Sequence, residues 1–166
     1  MDCSVLAHEK TAQVFRNRPS TFKAQSDETG AIWVILPEEN IVFVGDTVLK
    51  NQPPFLAQAN IPVWLESLEL LQSKEYNDFT VISGRDGVVT AAVIKSQVEF
   101  LKDAHKRLEK LSGRKQKPDM TESLIQPLAS KFRAPASRQK QFNERLRYGL
   151  RHYYARHYQA NNKNED

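Results

Sequence analysis

The sequence has a single cysteine, Cys3, so neither an internal disulfide nor a multi-cysteine metal site can form from this chain. Beside Val5, Leu6 and Ala7, that cysteine reads as a small buried hydrophobe rather than a reactive thiol. No run of about 18 apolar residues is present, which excludes a helical membrane span and removes a membrane from the expected partners. Met1-Asp2-Cys3-Ser4 lacks the basic-then-apolar order of a secretory signal, so the expected location is cytoplasmic. Histidine is also scarce: His8, His105, His152 and His157 are the whole set, and no two of them lie one residue apart. No internal repeat is visible.

What is present fits one ordinary core with an appendage: 166 residues, 40% of them apolar. Charge is split along the chain. Residues 1 to 100 carry 8 Lys/Arg against 13 Asp/Glu, and residues 101 to 166 carry 16 against 7. A net −5 therefore precedes a net +9, which leaves an acidic partner open for the second part.

Ser4-Val5-Leu6-Ala7 reads as a short strand, His8 to Phe15 as a helix, and Arg16 to Gly30 as loop. The β-branched and aromatic runs Ala31 to Leu36 and Ile41 to Val44, separated by Pro37-Glu38-Glu39-Asn40, predict a hairpin. Both arms are apolar on successive residues, so both sheet faces should be covered. Asn60 caps a predicted helix in which Ile61, Trp64, Leu65, Leu68 and Leu71 share a face. Phe79 to Ile82 is a short strand stopped at Ser83-Gly84 and Asp86-Gly87, and Thr90 caps a long helix striped by Ile94, Val98, Leu101, His105 and Leu108. Trp33 and Trp64 are expected in the core. After the charged linker from Arg114 to Pro118, Asp119 with Glu122 resembles a capping box for a helix to about Lys131. Pro135 opens a final helix with Phe142, Leu146, Leu150, Tyr153 and His157 along one side. The expected organisation is an α/β domain over residues 1–112 and a basic helical extension over 113–166.

Phe43-Val44-Gly45-Asp46 places a carboxylate just past a buried strand, after a glycine that allows a sharp turn. Leu36-Pro37-Glu38, this strand, Pro53-Pro54-Phe55, Trp64-Leu65, Val81-Ile82-Ser83-Gly84 and the helix to Leu111 follow in an order that resembles the second half of the metallo-β-lactamase superfamily. Ala7-His8-Glu9-Lys10-Thr11 likewise resembles the stretch after that family's main metal motif. The resemblance covers residues 4 to 111 and rests on several moderate matches in sequence order. It implies a partial αββα sandwich, one sheet with flanking helices, in a truncated form of a hydrolase domain.

Family enzymes hold two zinc or iron ions at one edge of the sandwich. The resemblance maps one of those ligands onto Asp46 and places Asp27 near the position of a lone histidine. The position of a late Gly-His ligand reads Gly84-Arg85, and the His-x-His-x-Asp-His motif is absent. An arginine stays protonated and has no lone pair for a metal. The expectation is a family member that is not hydrolytic as this chain alone, holding zinc or iron only if another chain completes the site, and otherwise no cofactor. Arg85 then either binds a substrate phosphate or carboxylate or pairs with Asp46, the pairing being preferred.

If the first half of the sandwich is missing, the face bearing Trp33, Ile35, Val42 and Val44 lacks its opposing sheet, which predicts a homodimer or a complementing chain. The alternative function is a non-catalytic scaffold whose basic helix docks a protein or a nucleic acid. Lys140, Arg145, Arg147, Arg151 and Arg156 alternate there with Tyr148, Tyr153, Tyr154 and Tyr158, a mixture suited to phosphates and bases. The same residues suit packing on a neighbouring domain, and that reading is preferred. His8 and His105 read as structural.

Overall fold

The computed structural model describes residues 33–112 and 118–159. The strand at Ser4–Ala7, the helix at His8–Phe15, Cys3 and Asp27 lie outside them. The expected hairpin forms from β1 (Val34–Leu36) and β2 (Ile41–Gly45), joined by a 3-10 turn over Pro37–Glu39. Asn40 closes that turn in the left-handed conformation, at φ 53°, which asparagine tolerates well. Helix α1 (Ile61–Leu71) then crosses to β3 (Thr80–Ser83), which lies parallel to β2. A tight turn returns the chain as β4 (Gly87–Val89), antiparallel to β3. The result is one four-stranded mixed sheet in the order β1-β2-β3-β4. Helices α2 (Ala91–Ser112), α3 (Glu122–Ala129) and α4 (Ala136–Tyr154) follow. The chain is therefore of mixed α/β class.

Local chemistry accounts for the helices. Asn60 Oδ1 accepts from Val63 N–H at 3.3 Å, and Pro62 stands in the first turn of α1, where no amide donor is needed. Ile61, Trp64, Leu68 and Leu71 are buried from that helix, each such side chain contributing about 1.5–3 kcal/mol of burial. On α2, Ile94, Val98, Leu101 and Leu108 are buried, while His105 is partly exposed and faces Glu109 at 3.9 Å. After the linker a 3-10 turn spans Pro118–Thr121, and α3 begins at Glu122 with no side-chain cap at Thr121; the expected capping box depends on Asp119. The side chain of Asp119 lies outside the described residues.

Strand register sorts the sheet's residues into two faces. The row Ile35, Val42, Val81 and Val89 runs across all four strands and is buried throughout. The alternate row, Val34, Phe43, Ile82 and Val88, is the outer one, with Phe43 39% and Val88 63% exposed. This corrects the expectation of an open face at Trp33, Ile35, Val42 and Val44: those four are at most 7% exposed, enclosed in the chain's own core. Because side chains alternate along a strand, the more open face belongs to their neighbours instead. The expectation that both faces are covered likewise holds for the inner face and only partly for the outer.

Helix α4 shares that core. Leu146, Leu150, Tyr153 and Tyr154 belong to the same buried cluster as Trp33 and Leu68. Gly149 makes the close approach possible, since a Cβ there would lie 3.2 Å from both Cβ and N of Leu56. The end of α4 is pinned by Arg156, whose Nη2 donates to Ala59 O at 2.5 Å. Among the described residues, no helix is long and apolar enough to cross a membrane.

Candidate functional site

The parallel strands β2 and β3 end side by side, and the residues just past their carboxyl ends are the ones singled out from the sequence. Gly45 turns the chain at φ +55° and its carbonyl accepts from Gly84 N–H at 2.8 Å, locking the two strand ends together. Asp46 leaves from one end and Arg85 from the other. Arg85 Nε donates to Asp46 Oδ1 at 2.9 Å and Oδ2 at 3.0 Å, and Nη2 donates to Oδ2 at 2.7 Å. Hydrogen bonding to Asp46, then its negative charge, holds the Arg85 guanidinium above the usual arginine range. Both side chains are more than half exposed, so the pair adds geometric definition rather than much stability.

The loop beyond Asp46 is fixed from beneath. Thr47 is 2% exposed; its Oγ1 accepts from Trp33 Nε1 at 3.0 Å, and its carbonyl accepts from Trp64 Nε1 at 2.8 Å and Gln97 Nε2 at 2.6 Å. Gln97 Oε1 in turn accepts from Leu49 N–H at 2.7 Å, and Ser83 Oγ donates to Val48 O at 2.7 Å. One buried glutamine thus gives the Thr47 carbonyl its second donor and satisfies a Leu49 amide that would otherwise be orphaned. Both tryptophans expected in the core are there, each with its indole N–H satisfied. Gln97 was not singled out from the sequence, although a polar residue between Ile94 and Leu101 on an apolar stripe was the available signal.

Compared with known proteins, the chain matches no family model, no curated protein and no solved structure.

For a zinc or iron centre the described residues do not fit. Both oxygens of Asp46 accept from a guanidinium that has no lone pair to offer. Among the described residues, no three His, Cys, Asp or Glu side chains gather where they could share an ion. His105, His152 and His157 are all engaged elsewhere: His105 toward Glu109, His152 against the Tyr148 ring at 4.1 Å, and His157 on the Tyr153 ring at 4.2 Å.

The basic residues of α4 are not alike. Arg147 is gripped by Glu122, with Nη2 to Oε1 at 2.6 Å, and by Glu144, with Nη1 to Oε1 at 2.7 Å. Hydrogen bonds that it donates to Glu122 and then to Glu144 hold that guanidinium above its usual range, while Arg147 holds the Glu122 carboxyl below its own. Arg145 lies over the Phe55 ring at 5.9 Å, and its Nε is buried without a hydrogen-bond partner among the described residues. Burial, then the positive charge of Arg85, pushes the Arg145 guanidinium below the usual range. Arg151 is exposed. The structure brings Arg145 toward the Asp46–Arg85 pair and commits Arg147 to glutamates on the other flank.

Proposed function

We propose that this chain is a metallo-β-lactamase-fold relative in partial form that does not hydrolyse substrate by itself, its one retained ligand position having become a structural ion pair. The observation that carries this is the double grip of Arg85 on Asp46 at the carboxyl ends of two parallel strands. A carboxylate at that edge suits a ligand site. An arginine across from it suits a protein that has closed that site to metals. A single sheet flanked by helices is what half of the αββα sandwich would supply, and the partly open row Val34, Phe43, Ile82 and Val88 is the surface a second copy or a complementing chain would cover. The alternative, a basic helix on nucleic acid, draws less support, since Arg147 already answers two glutamates and Tyr153 and Tyr154 are buried.

The test is elemental analysis of the full chain purified from cells grown with added zinc and iron. The expected result is far less than one ion per chain, unchanged in Arg85→Ala. About two tightly held ions per chain would overturn the proposal and restore an enzymatic reading.

A further inference from the structure

We infer that a pocket between the loop after Asp46, helix α2 and the turn that follows α3 is a binding site for a small carboxylate carrying one apolar ring. The pocket encloses about 230 Å3 and is separate from the Asp46–Arg85 edge. Its floor is apolar: Leu49, Pro54 and Phe100 are buried there, and the Phe100 and Phe132 rings meet at 5.0 Å between centroids. Its rim is polar and cationic, with Lys50, Asn51, Ser96 and Lys131. An apolar floor under a few fixed polar groups is the general form of a small-molecule site.

The charge at the rim selects an anion. Lys50 is exposed and its ammonium forms no ion pair among the described residues. Lys131 pairs with Asp103 at 2.9 Å, but that carboxylate also serves Arg107 at 2.8 Å, so two cations share one anion and a positive charge remains. Burial pushes the Asp103 carboxyl up, and the hydrogen bonds from Lys131 and Arg107 outweigh it and hold the group below its ordinary range. Asp86, which does not line the pocket, accepts from Lys50 N–H at 2.8 Å and from Gln52 Nε2 at 3.5 Å, so its charge is directed to those two donors. Ala92 and Val93, from the first turn of α2, line the opposite wall, where the helix presents its positive end. The wall is held in place by Gln97, which ties Leu49 and Thr47 to α2.

Size sets the rest. A cavity of about 150 Å3 holds a benzene ring, so this one holds roughly nine or ten non-hydrogen atoms, the bulk of a benzoate. A ring on Phe100 and Phe132 would leave its carboxylate at the Lys50 rim.

The test is a titration of the 15N-labelled full chain with benzoate and, separately, with the neutral isostere benzamide. Benzoate is expected to shift the amides of residues 49–52 and 92–97 saturably, and to bind about tenfold more tightly than benzamide. Lys50→Gln, at an exposed position that the fold does not depend on, should lower benzoate affinity about tenfold. Ser96→Trp should abolish the shifts by filling the space. Equal binding of benzamide, unchanged affinity in Lys50→Gln, shifts centred on other residues, or no saturation would each overturn the inference.

Discussion

Asp46 and Thr47 are consecutive, yet they belong to different regimes. Thr47 faces inward and is held by Trp33, Trp64 and Gln97 through three hydrogen bonds in an interior that water does not reach. Asp46 faces outward and is held by Arg85 through three hydrogen bonds of similar length, at a surface where both partners are more than half exposed. The two networks differ in what breaking them costs. A buried group left unpaired carries its full desolvation penalty, whereas an exposed one is taken over by water. The inner network therefore fixes the loop, and the outer one orients two exposed side chains at its surface.

Substitutions on each side separate these roles, and the largest effect belongs inside. Gln97→Leu orphans the Leu49 amide and removes one of the two side-chain donors to Thr47 O, and should lower unfolding free energy by about 2–4 kcal/mol in urea denaturation. Thr47→Val removes the acceptor for Trp33 Nε1 alone, and about 1–2 kcal/mol should be lost in the same measurement. Asp103 stands between the regimes, partly buried and bonded to Lys131 and Arg107. Its folded carboxyl lies below the ordinary value, so its stabilisation is present above that value and is lost as pH falls through the folded one. Asp103→Asn should accordingly flatten the acid side of a melting-temperature profile between about pH 5 and 3. The smallest effect belongs outside: Arg85→Ala and Asp46→Asn should leave the melting temperature within the scatter of repeat scans, at low and at high salt. A loss for Arg85→Ala as large as that for Gln97→Leu would erase the distinction.

The sequence made the inner architecture partly legible. The Asn60 cap, the stripes on α1 and α2 and the hairpin all follow from local patterning, which is short-range and strong where apolar residues recur at a fixed period. The pairing of Asp46 with Arg85, preferred over substrate binding by Arg85, forms, each residue standing just past the end of an expected strand. Which sheet face is open was not legible, since β1 and β2 are apolar on consecutive residues and alternation gives no contrast there. Nor was the Gln97 network, whose bonds span 48 and 50 positions, or the pocket beside Lys50, which joins residues from loop, helix and turn far apart in the chain. The tail's arginines looked equivalent in sequence; only packing separates Arg147, held by glutamates, from Arg145, laid on Phe55.

The Arg85 guanidinium is expected to occupy both oxygens of Asp46 in solution as it does in the fold. The Arg85 Nε–Hε resonance reports this directly, because a proton held between Nε and a carboxylate moves downfield and exchanges slowly with water. The expected result is a slowly exchanging Arg85 signal that collapses in Asp46→Asn and is unmoved by an equivalent of zinc. A signal displaced by zinc, with the wild-type chain taking up the ion, would show that the carboxylate is free to serve a metal and would contradict the account.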